Sequence, residues 1–197
     1  MEVRRYSTYK EYVDHQGSKL DKKYSIIAAH DKQYEQSVYS RYSGFEGKKV
    51  LCLAARLGGE VRAFKKLGAD AIGVDLNPGK DNKDVIYGDF HDIPFKDKHF
   101  DYVFTNSIDH VLYLDKFYSE IKRVLKPRGV FICELMKGGR GGHGVIDTVD
   151  DSEIIAEADK YFEVKKIEDI RVSTTCLRND VSIYYMKNGH NSNHTVQ

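Results

Sequence analysis

Asp75 ends an apolar run, "AIGVD", about twenty residues after a turn, "LAARLGG", in which Ala54, Ala55, Gly58 and Gly59 cluster. Small side chains where a strand meets its helix let a ligand lie against backbone N–H groups at the helix N-terminus. A carboxylate at the carboxyl edge of the next strand accepts hydrogen bonds from two ribose hydroxyls. Together they predict a nucleoside site, although Asp75 also reads as an ordinary strand-end acid capping "NPG". A dinucleotide normally calls for G-x-G-x-x-G, and Arg56 and Leu57 occupy the region of its middle glycine. A pyrophosphate cradle is therefore poorly supported.

The elements that must position these groups are legible from Lys49 onward. Short apolar runs, "VLCLA", "AIGVD", "VIYGD", "YVFTN", "VFICEL", "YFEVKKI" and "VSIYYM", alternate with amphipathic stretches, the pattern of an α/β fold with a mostly parallel sheet covered on both faces. In "LDKFYSEIKRVLKPRGV", Asp115 is placed to cap a helix whose stripe is Phe117, Ile121, Val124 and Leu125, and Pro127 with Gly129 is expected to stop it. A further helix is expected in "DDSEIIAEADKYF", with acids in its first turn. Residues 1–44 are tyrosine-rich with weak helical periodicity interrupted by Gly17, and are expected to form one or two helices that cap the sheet. The expected division is a helical cap over 1–44, a ligand-binding domain over 45–188 and a disordered polar tail over 189–197. Five glycines among the eight residues of "KGGRGGHG" predict a mobile loop.

Composition narrows the function classes. With 197 residues and 41% hydrophobic content, the chain supports one well-buried core. Thirty-one basic against 30 acidic residues leave a net charge of +1, so no general field favours nucleic acid or an anionic membrane. Cys52, Cys133 and Cys176 are odd in number and far apart, and read as reduced residues of a cytoplasmic protein with neither disulfide nor metal. No window approaches the length of a membrane span.

The segment from Val50 to Leu135 resembles the class I S-adenosylmethionine-dependent methyltransferases, motif by motif and in order. "VLCLAARLG" keeps that family's hydrophobic frame and its final glycine, Gly58, while Cys52 replaces the usual acid, Ala54 the first glycine and Arg56 the second. "GVDLNP" looks like the ribose-binding strand end, with Asp75 on the hydroxyls and Leu76 beside the adenine. "YGDFHDIPFKDKHFDYVFTNSIDHV" looks like the adenine-binding and fourth-strand motifs, with Asp89 near the exocyclic amine, Phe90 flanking the ring and Asn106 and Ser107 at the pocket mouth. "IKRVLKPRGVFICEL" resembles the helix, turn and fifth strand. The resemblance implies a three-layer, single-domain, Rossmann-like methyltransferase fold with a seven-stranded sheet and an N-terminal helical extension. It also implies S-adenosyl-L-methionine as cofactor, held by Ala54, Ala55, Arg56, Gly58, Asp75, Leu76, Asp89, Phe90, Asn106 and Ser107.

Arg56 is either a solvated loop residue or a guanidinium for the cofactor carboxylate. Asp89 reads as a ligand or a turn residue. His110, just after the fourth strand, is the candidate general base, with helix capping as its alternative. His143 in the glycine-rich loop, and His15, Gln16 and Lys19 in the N-terminal segment, are candidates to close over the site. The expected acceptor is a small molecule, with a saccharide or other hydroxylated metabolite as the candidate, because "TNSID" is not the Asn/Asp-Pro-Pro-aromatic sequence of amino-methylating DNA enzymes and no Pro-Cys pair is present. Two other readings stand beside this one: a non-catalytic relative acting through a partner, and a nicotinamide-dependent oxidoreductase. For the latter, "YSEIK" has the Tyr-x-x-x-Lys spacing but lies in the helix before the fifth strand.

Overall fold

The computed structural model describes residues 2–135, 145–146, 151–174 and 178–187. Cys176, His143 with its glycine-rich loop, and the expected tail over 189–197 lie outside them. Helices α1 (Tyr9–Lys22), α2 (Tyr24–Arg41), α3 (Gly59–Lys66), α4 (Leu114–Val124) and α5 (Asp151–Ala158) surround seven strands. These are β1 (Lys49–Leu53), β2 (Asp70–Asp75), β3 (Val85–Tyr87), β4 (Phe100–Thr105), β5 (Leu125–Leu135), β6 (Phe162–Ser173) and β7 (Arg178–Lys187). They form one sheet in the order β3-β2-β1-β4-β5-β7-β6, parallel except that β7 runs against both β5 and β6. This is the mixed, seven-stranded α/β sheet that the apolar runs imply.

Alternation along each strand divides the core between the two faces. Val50 and Cys52 face Tyr34 and Val38 of α2 and Phe64 of α3, whereas Leu51 and Leu53 face Tyr12 of α1, Phe117 and Ile121 of α4 and Ile154 of α5. Both faces being covered, the central strands read as continuous apolar runs. Leu53 pairs with Val74 on one side and Thr105 on the other, which brings the carboxyl ends of β1, β2 and β4 together. Connections leave β1 and β4 in opposite directions there, and open α/β sheets bind ligands at such a switch point.

Several local expectations are corrected. Gly17 does not interrupt α1, which runs from Thr8, whose Oγ1 accepts from Glu11 N at 3.1 Å, to a break at Lys23. One glycine costs a helix about 1 kcal/mol, too little to end one held by tertiary contacts. Asp115 does not cap α4: Tyr113 holds that position, and the Asp115 carboxylate accepts from the Tyr161 hydroxyl. Nor do Pro127 and Gly129 stop α4, which ends at Val124; Leu125 already pairs with Phe100 in the sheet. The residue before a proline is driven to extended backbone, so the chain enters β5 ahead of Pro127. The fifth helix ends at Ala158, short of Tyr161 and Phe162.

Two further features tie the layers together. Glu134 of β5 is fully buried, accepting from Tyr34 and Tyr42 hydroxyls at 2.7 Å each and from Arg41 Nη1 at 2.6 Å, which anchors α2 to the sheet. Glu2–Val3 pairs in parallel with Val145–Ile146 in a separate two-stranded ladder. Among the described residues no helix is long and apolar enough to cross a membrane.

Candidate functional site

The turn after β1 takes its shape from three left-handed residues, Ala54 (φ 55°), Arg56 (φ 47°) and Gly58 (φ 87°). Only glycine adopts this region freely, and a Cβ there costs roughly 1–2 kcal/mol. The chain thus keeps a glycine-type backbone at two positions without the glycine. The fold binds the turn to β2: Ala55 N donates to Val74 O at 3.2 Å and Arg56 N to Asp75 Oδ2 at 2.9 Å. Asn77 N donates to the other carboxylate oxygen, Oδ1, at 2.8 Å. Asp75 is thereby held from both sides, with one lone pair of each oxygen committed and one left over. Burial pushes its carboxyl above the usual range, opposed by the Asn77 and Arg56 amides and by the nearby Arg56 charge.

Beside Asp75 lies a cleft that opens to solvent. Ala54 and Arg56 of the turn form one side, and Val74, Asp75, Leu76 and Asn77 continue it along the end of β2. Gly88 and Phe90 bring an apolar surface, while Ser107 and His110 bring polar groups from the end of β4. The remaining wall is α1, through Tyr12, Gln16, Lys19 and Leu20. Their spacing puts these four on one helical face, held down where Asn77 Nδ2 donates to Gly17 O at 2.8 Å.

Seven of the eleven candidate residues therefore meet at one cleft: Ala54, Arg56, Asp75, Leu76, Phe90, Ser107 and His110. The other four are placed elsewhere. Ala55 is buried in the core against Gly73, where an added Cβ would come within 2.7 Å of it. Gly58 caps α3 and faces Val85 and Asp84. Asn106 accepts from Ser107 Oγ at 2.8 Å. Asp89 is engaged by the Tyr9 hydroxyl through Oδ2 and by His91 through Oδ1, which receives His91 N at 2.8 Å and approaches His91 Nδ1 at 3.0 Å. These contacts outweigh burial and hold its carboxyl below the usual range.

The start of α3 does not offer the free amides that the cluster of small residues predicts. Gly59 N donates to Asp31 Oδ1 of α2 at 2.7 Å, and Gly58 N donates back to Ala55 O at 2.7 Å. Asp31 also meets Arg62, which donates to Glu35 Oε2 at 2.8 Å, so a charged hub closes the helix end. Beneath the turn, Glu60 is buried and its carboxyl is pushed up to about 8, chiefly by loss of water and secondarily by Asp31 and Asp75. His30, also buried and close to the Arg56 charge, is driven down to about 4.

His110 ends a short 3-10 turn, Ile108–His110, its amide donating to Ser107 O at 3.1 Å. Its Nδ1 stands 3.8 Å from Asp109 Oδ2. Of the three N-terminal candidates, Gln16 and Lys19 line the cleft, whereas His15 turns away, its Nδ1 2.7 Å from the Tyr6 hydroxyl. Tyr12, Leu20 and Asn77 were not among the candidates. Periodicity with Gln16 marks the first two, since positions 12, 16, 19 and 20 share a helical face. Nothing local marks Asn77.

A family model described as a methyltransferase domain matches residues 51–133. A sterol 24-C-methyltransferase of Gibberella zeae is 36% identical over 101 residues, which is 43% of this chain and 27% of that enzyme. A fatty-acid O-methyltransferase of Mycolicibacterium smegmatis is 33% identical over 126 residues, 56% of this chain and 42% of that enzyme. The chain thus spans from about a quarter to two fifths of these relatives. Among solved structures, phosphoethanolamine N-methyltransferase 2 of Haemonchus contortus, in complex with S-adenosyl-L-methionine, shares the fold with a TM-score of 0.65 at 16% identity, covering 91% of this chain and 60% of that one.

Proposed function

We propose that the cleft beside Asp75 holds S-adenosylmethionine and that this chain, whose residues 51–133 match a methyltransferase-domain model, transfers its methyl group to a small-molecule acceptor. One observation carries the reading: Asp75, oriented by the amides of Arg56 and Asn77, borders a cleft with an apolar flank from Leu76 and Phe90. The donor set suits the cofactor group by group. The spare lone pairs of Asp75 accept the ribose hydroxyls, Leu76 and Phe90 flank the base, and Arg56 meets the carboxylate of the amino-acid portion. Ala54 leaves room at the turn.

The bound cofactor supplies an electrophilic methyl carbon on a sulfonium. The chain's own task is alignment and exclusion of water, and positioning of this kind accounts for roughly 7–11 kcal/mol of a barrier. Helix α1 supplies the exclusion by walling the cleft with Tyr12 and Leu20. At the other side Ser107 and His110 face the same space, and a histidine there takes the acceptor's proton when the acceptor is a hydroxyl or a protonated amine, a contribution of about 10²–10⁴-fold. The named activities of the relatives, on sterols and fatty acids, support a small organic acceptor.

Isothermal titration of the protein with S-adenosylmethionine, S-adenosylhomocysteine and NAD is the test. Micromolar binding of both sulfur nucleosides, absent with NAD and lost in Asp75→Ala, is the expected result. A protein that binds neither sulfur nucleoside overturns the proposal and leaves the non-catalytic reading.

A further inference from the structure

Tyr9 stands outside the cleft, yet it joins α1, which walls the cleft, to Asp89, which lies in sequence between the cleft-lining Gly88 and Phe90 and which the resemblance sets near the exocyclic amine. Its hydroxyl donates to Asp89 Oδ2 and lies 3.0 Å from His91 Nδ1. Tyr113 N donates to His91 Nε2 at 3.2 Å, so the neutral ring carries its proton on Nδ1 and offers it to Asp89 and Tyr9. Asp89 Oδ1 thus serves His91 twice, and Oδ2 serves Tyr9. Packing fixes the ring in place: it stacks on Tyr113 with centroids 5.7 Å apart at 14° and meets the edge of His91 at 5.7 Å. One helical turn further along α1, Tyr12 is in ring contact with both Tyr9 and His91 and also lines the cleft.

We propose that Tyr9 is a latch, its hydroxyl competing with the exocyclic amine of the nucleoside for the Asp89 carboxylate, so that binding of the base and release of α1 are one coupled event. The inference rests on the cofactor reading above. The two donors are of the same kind, a neutral O–H and a neutral N–H, and they address the same carboxylate. A nucleoside that draws Asp89 toward the cleft loosens the hydrogen bond that holds the N-terminal half of α1, while Asn77 on Gly17 O still holds the second half. The wall then pivots instead of detaching, and Tyr12 travels with it. Binding at one end of the cleft is in this way communicated to the surface the acceptor must pass.

Tyr9→Phe removes the hydroxyl and keeps the ring, and its thermal unfolding reports whether the fold persists. Titration with S-adenosylmethionine is expected to show about tenfold tighter binding in the variant, the size of one hydrogen bond to a charged group. In an Asp89→Asn background the same change is expected to have at most a twofold effect, as a direct coupling requires. Hydrogen exchange of residues 9–16 without any nucleoside is expected to be at least fivefold faster in Tyr9→Phe than in wild type. Unchanged or weaker binding overturns the competition, and unchanged exchange overturns the latch. Should wild type fail to bind S-adenosylmethionine, the cofactor reading falls, while the exchange comparison still decides whether Tyr9 holds α1.

Discussion

Two backbone amides, one on each oxygen, aim Asp75 before any ligand arrives, so the proposed hydrogen bonds to ribose are expected to incur little ordering cost. Replacing it by alanine removes two hydrogen bonds to a charged acceptor, and nucleoside affinity is expected to fall about 100-fold by titration. Glu60 has a different consequence, read in stability. Its carboxyl sits near 4.5 in the unfolded chain and about 8 in the fold, so across that window the folded protein keeps a proton that the unfolded chain has released. Folding stability therefore falls as pH rises from 4.5 toward 8, on the order of 5 kcal/mol over the full window. Chemical denaturation of Glu60→Gln over that range is expected to show this component gone, with the variant the more stable form at pH 8.

At the scale of elements, the strand-to-helix turn shapes one side of the site. Its left-handed backbone at Ala54 and Arg56 survives without glycine because β2 holds it by the Ala55 and Arg56 amides. Ala54→Gly is expected to raise stability by about 0.5–1 kcal/mol in urea denaturation, whereas Gly58→Ala, whose Cβ would meet Val85 at 3.0 Å, is expected to lower it by about 1–2 kcal/mol. Periodicity and order made the strands and Asp75 at a strand end legible here, and Phe90 and Ser107, which also line the cleft, were suggested by the resemblance alone. What it concealed was already-spent hydrogen bonding. Asp89 looks like a free carboxylate until Tyr9, 80 positions earlier, is folded onto it, and the Gly59 amide looks available until Asp31 reaches it. Pairings between distant segments leave no local pattern. The C-terminal end of α4 was missed for a smaller reason, the entry of Leu125 into the sheet ahead of its proline.

Across the whole molecule, a mostly parallel sheet covered on both faces was readable from the apolar runs and their order was not, while the wall contributed by α1 was readable only in part, through Gln16 and Lys19. The far side depends on a different long-range tie. Glu134 holds Arg41, Tyr34 and Tyr42 from a fully buried position. Glu134→Ala is expected to cost about 3–5 kcal/mol in thermal or chemical unfolding by stranding Arg41, with loosened α2 as its signature in hydrogen exchange. The two-residue ladder between Glu2–Val3 and Val145–Ile146 has a consequence in time instead of space. On a ribosome the first of these segments emerges long before its partner exists, and domains assemble as the chain lengthens. Glu2 and Val3 must wait, unpaired, until Val145 and Ile146 have followed, so a chain cut short between them never completes that ladder, whatever of its sheet has formed.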